Sequence, residues 1–169
     1  RRALKMFEFL RNKMGEEIEL LHDVHERISP TQAVQMCKDV EKFRLFFFED
    51  PLSPEDIGWY RIIRQQCATP IAMGELFVNV HEWLPLVSER LIDYIRCRVS
   101  KVGGITQAQK IAHLCEWYGV HTAWPILAGP QVYAFNHFLG HLPGPLYDEA
   151  LTVTPRLGWF RLETLLLAG

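Results

Sequence analysis

Arg44-Leu45-Phe46-Phe47-Phe48-Glu49 decides the fold. Four apolar residues in a row, with no polar alternation, describe a strand covered on both faces. Such strands belong to parallel sheets sandwiched by helices. The segments on either side repeat the theme. Residues 3–14 read as an amphipathic helix, with Leu4, Phe7, Leu10 and Met14 at helical spacing and Gly15 closing it. Ile18-Glu19-Leu20-Leu21 is a short strand, and Ser29-Pro30 opens a helix whose apolar face carries Ala33, Val34, Cys37 and Val40.

Beyond the apolar run the alternation continues. A helix starts at Ser53-Pro54 and runs through Gln66, and Pro70 to Met73 is a strand. Asn79 to Ser88 is helical, Leu91 to Arg96 is a strand, Thr106 to Tyr118 is a helix after Gly103-Gly104, and Val120 to Trp124 is a strand. Strand–helix units with short connections define an α/β fold with parallel strands. After Trp124 the pattern dissolves among Pro125, Pro130, Pro143, Pro145 and Pro155. Residues 1–125 are therefore expected to form one barrel-like domain, and 126–169 a divergent C-terminal tail without the next strand–helix unit of a barrel. A terminal helix over 156–167 is weakened by Gly158.

Composition bounds the function. The 169 residues are 49% hydrophobic and 22% charged, with a formal net charge of −2. No basic excess points to nucleic acid, and no apolar run is long enough for a membrane span. Cys37, Cys67, Cys97 and Cys115 show no C-x-x-C spacing and lie in apolar segments, so they read as buried free thiols of a cytoplasmic protein. The start carries no signal-peptide pattern, and Arg1-Arg2 without an initiator Met suggests a processed or truncated product.

Three acids follow three successive strands: Asp23, Glu49 and Glu75, spaced by 26 residues from 23 to 49 and from 49 to 75. The next strands end at Arg96 and near Thr122. A repeat of this size matches one unit of an eightfold barrel, whose active sites lie at the C-terminal strand ends. Three carboxylates converging there need a cation, and hard oxygen donors favour Mg²⁺ or Mn²⁺ over zinc. The competing reading is capping, since an acid after a strand is often a helix N-cap and Asp50 or Asp56 could serve. His25 lies two residues beyond Asp23. If the strand extends that far, both side chains share a face and His25 can move a proton beside the metal; the alternative is a surface histidine in a loop. Arg96 at a strand end suits a substrate carboxylate or hydroxyls, or else an ion pair with one of the acids.

These residues resemble a known family. The segments Leu21-His22-Asp23-Val24-His25-Glu26, Phe48-Glu49-Asp50-Pro51-Leu52, Met73-Gly74-Glu75-Leu76-Phe77, Asp93-Tyr94-Ile95-Arg96, Val99-Ser100-Lys101-Val102-Gly103-Gly104-Ile105-Thr106 and His121-Thr122-Ala123-Trp124 look like consecutive strand ends of mannonate dehydratases of the enolase superfamily. The resemblance covers residues 1 to about 124. It implies a partial (β/α)₈ TIM-type barrel, roughly strands three to seven. It also implies Mg²⁺ on Asp23, Glu49 and Glu75, His25 as acid–base and substrate-binding residue, and Arg96 on the substrate.

The implied reaction is proton abstraction beside the carboxylate of a sugar acid such as mannonate, followed by loss of the β-hydroxyl. Relatives that racemise or cycloisomerise often carry an acid where Arg96 stands, which argues against those activities. Family members often assemble, so the resemblance leaves a homo-oligomer open without implying its size. Several family features are missing. Pro125 stands where the family continues Thr-Ala-Trp with a His, the eighth-strand Glu has no counterpart, and the Arg and Tyr associated with the base, with the capping domain, would precede Arg1. The resemblance therefore implies a truncated, weakly active or inactive dehydratase; the alternative is a non-catalytic scaffold or small-molecule-binding module.

Overall fold

The computed structural model describes residues 2–124; expectations for the tail lie outside the described residues. Among the described residues the elements alternate as α1 (Arg2–Met14), β1 (Leu21–Asp23), α2 (Pro30–Glu41), β2 (Phe47–Glu49), a 3₁₀ turn (Pro54–Trp59), α3 (Tyr60–Gln66), β3 (Ile71–Met73), α4 (Val80–Ser88), β4 (Tyr94–Ile95), α5 (Ile105–Tyr118) and β5 (His121–Thr122). The strands form a parallel sheet in chain order, β1-β2-β3-β4-β5. This is the α/β architecture expected from the sequence. No described helix is long and apolar enough to cross a membrane.

The described chain divides into two compact units, residues 2–71 and 72–124, with the boundary inside β3. In the first unit β1 and β2 pair in register Leu21↔Phe47, His22↔Phe48 and Asp23↔Glu49. The Phe48 N–H donates to the Pro70 carbonyl, just ahead of β3. All of β2 is buried, as its unbroken apolar run requires. α2 buries Ala33, Cys37 and Val40, a single helical stripe, and its N-cap Ser29 N–H donates to Gln32 Oε1 at 3.0 Å. On α1, Phe7 is fully buried, with its ring edge-on to His22 at 5.4 Å and tilted against Phe43 at 5.6 Å. Arg11 closes that helix. Its guanidinium donates to the carbonyls of Gly15, Ile18, Phe43 and Arg44, which sews the helix end to the loops before β1 and β2.

In the second unit β4 pairs with β3 and with β5. α4 starts at Asn79, whose side-chain oxygen accepts from the His81 N–H at 2.9 Å. Glu82 reaches back to the Val78 and Asn79 N–H groups at 2.7 and 3.2 Å. α5 buries Ala108, Ile111, Ala112 and Cys115, and packs on α4 and β5. An apolar cavity of about 380 Å³ opens beside these helices, lined in part by Val80, Trp83, Ile111 and Leu114.

Two sequence expectations need correction here. The helix expected over Ser53 to Gln66 is instead a 3₁₀ turn, kinked at Asp56 (φ −101°, ψ 18°), followed by the short helix α3. The strands are also shorter than expected, and β1 and β2 are displaced toward their C-terminal ends. The expected strand at Ile18 to Leu21 is instead Leu21–Asp23, so the acid belongs to the strand itself.

Candidate functional site

Asp23 and Glu49 end β1 and β2 and are direct partners across the parallel pair. Their common placement follows from the register in which β1 pairs with the buried strand β2. Backbone bonds carry the pairing beyond the strands. The Val24 N–H donates to the Glu49 carbonyl at 3.0 Å and the Glu26 N–H to the Asp50 carbonyl at 2.9 Å. Three residues at these strand ends are non-glycine residues at positive φ: His25 at 54°, Glu26 at 59° and Asp50 at 40°. Such backbone is sparsely populated and costly, and it concentrates at functional sites.

His25 is therefore not on an extension of β1, as the shared-face argument required. The chain turns after Asp23, and the left-handed backbone at His25 swings its ring back instead. Nδ1 comes to 3.2 Å from Asp23 Oδ2. A carboxylate only accepts, so Nδ1 carries the hydrogen in this contact. The His25 side chain remains 49% exposed, whereas that of Asp23 is 1% exposed. The surface-loop alternative is thus half right: the histidine is in a loop, but tied to the acid.

The second Asp23 oxygen, Oδ1, is buried and has no hydrogen-bond partner. A buried anionic oxygen without a donor is costly, and a cation relieves that cost. Glu49 is 1% exposed and Asp50 2%. The two present carboxylate oxygens within 4.8 Å of each other. Within this unit the candidate donors fall in two separate clusters, Asp23 with His25 and Glu49 with Asp50, and their carboxylate oxygens suit a hard divalent cation. Asp23 and Glu49 thus fit Mg²⁺ on the chemistry of their own unit. The capping alternative fails for Asp50 and Asp56. Ser53 is the N-cap of the 3₁₀ turn, Asp56 lies within that turn, and Asp50 is buried.

Glu75 lies in the second unit, two residues beyond β3, and is 6% exposed. The turn carrying it is closed by the Phe77 N–H on the Gly74 carbonyl at 3.1 Å and anchored by fully buried Phe77. Gly74 takes φ +142°, with the backbone of Arg96 and Cys97 packed against its α-carbon. The Arg96 N–H donates to the Met73 carbonyl at 2.8 Å, fixing where that residue leaves β4.

Sequence reasoning missed Arg98, whose guanidinium forms an ion pair with Glu75 Oε1. The Asp93-Tyr94-Ile95-Arg96-Cys97-Arg98 alternation contained the signal, since Arg96 and Arg98 share strand parity. The thiol expectation also needs adjustment. Cys37, Cys97 and Cys115 are buried and outside any disulfide, but Cys67 is partly exposed.

A parallel sheet with acids at or just beyond C-terminal strand ends carries them at the ends where barrel-type folds build their active sites. The chain belongs to the enolase C-terminal domain-like family, whose model matches residues 1–165. It is 58% identical over 120 residues to a D-galactonate dehydratase family member of Musicola paradisiaca, covering 71% of this chain and 29% of that protein. It is 43% identical over 120 residues to a D-mannonate dehydratase of a Caulobacter strain, covering 71% and 30%. A crystal structure of an enolase from Pantoea ananatis, with bound D-gluconate and Mg, superposes with a TM-score of 0.73 at 56% identity, over 74% of this chain and 30% of that one. The L-talarate dehydratase of a Polaromonas strain, complexed with Mg and L-glucarate, gives 0.68 at 30% identity, over 79% and 38%. The chain thus spans about three-tenths of the length of the curated relatives it matches.

Proposed function

We propose that Asp23, Glu49 and Glu75 hold one Mg²⁺, and that the protein this chain represents removes water from a sugar acid, an aldonic acid such as mannonate. The observation that carries this reading is the buried Asp23 carboxylate, paired in register with Glu49 and left with one unpartnered oxygen. The relatives named as D-galactonate family and D-mannonate dehydratases support the reaction class, and the related structure holding D-gluconate with Mg supports both ligands.

Mg²⁺ bound there would neutralise a substrate carboxylate and lower the cost of negative charge developing beside it. The chain's own residues would do the rest. With Nδ1–H given to Asp23, His25 has Nε2 as the nitrogen that exchanges a proton, donating it to the departing hydroxyl. Arg96, held by its backbone at the end of β4, would grip substrate oxygens through its planar fork. Arg98 balances the charge of Glu75 and orients it. In this chain Pro125 stands where the family carries a proton-transferring His, so turnover by these 169 residues alone is expected to be slow or absent.

The test separates binding from turnover. Calorimetric titration with Mg²⁺ should show a site that Glu49→Gln weakens by about tenfold or more, the usual scale for losing a charged contact of about 1.5–3 kcal/mol. Equal Mg²⁺ affinity in both proteins would overturn the metal assignment. Incubation with mannonate, galactonate and gluconate, following 2-keto-3-deoxy acid and deuterium uptake at C2, then reads the chemistry.

A further inference from the structure

The first unit carries a second chemically active pair, away from the strand ends. Cys37 lies on the buried face of α2, and Cys67 caps the C-terminal end of α3 in extended backbone at φ −154°, ψ 159°. The two helices pack side by side. Lys38 Nζ donates to Gln66 Oε1 at 3.3 Å, and the buried Thr69 hydroxyl donates to the Cys37 carbonyl at 2.7 Å. Between these two clamps the Cys67 thiol, which donates to the Ile63 carbonyl at 3.6 Å, stands beside the Cys37 thiol. The residues around 37 and those around 67 are therefore held face to face by two hydrogen bonds and the packing of the helices.

The two thiols differ in environment. Cys37 is fully buried, whereas Cys67 is partly open to solvent. The hydrogen bond from Cys37 favours the Cys67 thiolate, aided by the Thr69 backbone N–H and the Arg64 guanidinium one turn earlier; burial and Glu41 oppose it. The same bond, with burial, pushes the Cys37 thiol up. Cys115 lacks such a partner, and burial alone pushes it up to about 12. A partly exposed thiolate beside a buried thiol is the arrangement of an attacking and a resolving cysteine.

We propose that Cys37 and Cys67 form a reversible peroxide-sensitive dithiol, with Cys67 oxidised first and Cys37 resolving it to a disulfide. The Cys67 sulfur attacks a hydroperoxide. An S–O bond forms, the O–O bond breaks, and the released alkoxide or hydroxide takes a proton from solvent. The Cys37 sulfur then displaces the oxygen of the Cys67 sulfenic acid. The S–S bond forms, the S–O bond breaks, and the hydroxide leaves as water with the Cys37 proton. Two thiols are oxidised by two electrons, and one hydroperoxide is reduced to an alcohol, or water, plus water. The disulfide would tie α2 to the end of α3 and close a loop that contains β2, Glu49 and Asp50.

The experiment treats the reduced, desalted 169-residue chain with hydrogen peroxide and maps thiols by non-reducing digestion and mass spectrometry. A Cys37–Cys67 linked peptide two hydrogens lighter, with loss of two of the four thiols and full reversal by dithiothreitol, is expected. In Cys37→Ser the first step stops at Cys67, and dimedone traps its sulfenic acid. Limited iodoacetamide labelling of the untreated protein keeps the test independent of variant folding: Cys67 should alkylate about tenfold faster than Cys37 or Cys115. Persistent Cys67 sulfenic acid in the wild-type chain without the linked peptide, a disulfide to Cys97 or Cys115, or equal alkylation of all thiols would overturn the proposal.

Discussion

Replacing Gly74 with alanine tests how the turn bearing Glu75 is built. The substitution adds one methyl group at φ +142°, where its Cβ would lie 3.0 Å from the Arg96 carbonyl carbon, the Arg96 nitrogen and the Cys97 nitrogen. All three are backbone atoms, and the Arg96 N–H is pinned to the Met73 carbonyl at 2.8 Å, so none can rotate away as a side chain would. Backbone in this glycine-only region costs about 1–3 kcal/mol for any other residue. Forcing a methyl into a filled space costs about 1–3 kcal/mol more. Alanine returns about 0.4–1 kcal/mol by restricting the unfolded chain. The net expectation is a loss of about 1–6 kcal/mol.

Gly15→Ala is the control. Its φ is +66°, but an added Cβ meets nothing within 4 Å, so only the left-handed backbone cost of about 1–2 kcal/mol remains, partly offset by the same unfolded-state gain. Urea unfolding followed by circular dichroism, read as the midpoint shift at constant slope, compares the two. If Gly74→Ala shifts the midpoint no more than Gly15→Ala, with the slope unchanged, the close-approach argument is wrong.

Other expectations follow from single contacts. Asn79→Ala removes the acceptor for the His81 N–H and should cost about 0.5–2 kcal/mol in the same assay, while Asn79→Ser, which keeps an accepting oxygen without adding charge beside Glu82, should cost less. Phe7→Ala empties a fully buried site between His22 and Phe43 and should cost about 3–5 kcal/mol, measured by thermal or urea unfolding. Burial, with Asp50 the next cause, holds the Tyr60 hydroxyl well above its ordinary range. An unfolded tyrosine loses its proton near pH 10, so above that pH the unfolded state binds fewer protons and stability falls as pH rises. Urea midpoints from pH 8 to 11 should show this decline, and Tyr60→Phe should reduce it; an unchanged slope in that variant would remove Tyr60 as the cause.

Much of the fold was legible because local rules and the long-range pattern agree. Ser29-Pro30 and Asn79 with Glu82 announce helix starts through chemistry confined to one turn, and both helices begin there. The Leu45-Phe46-Phe47-Phe48 run announces a buried parallel strand, and Glu49 at its end is buried with it. The even spacing of Asp23, Glu49 and Glu75 placed each acid at or just beyond the end of its strand. These features depend on residues close in sequence, or on a repeat length that counting reveals.

What only the tertiary structure decided depends on partners distant in sequence. The bounds of β1 are set by hydrogen bonds to β2, so the strand is Leu21–Asp23 rather than the most apolar window before it. His25 reaches Asp23 through a left-handed turn, a backbone state that the Asp-x-His spacing does not encode. Arg96 and Arg98 have the same charge and parity, and it takes the shape of the turn at Gly74 to bring Arg98 onto Glu75. Cys37 and Cys67 read as two unrelated buried thiols. The packing of α2 on α3 makes them a pair, because the contact closes over intervening chain that carries no local sign of it.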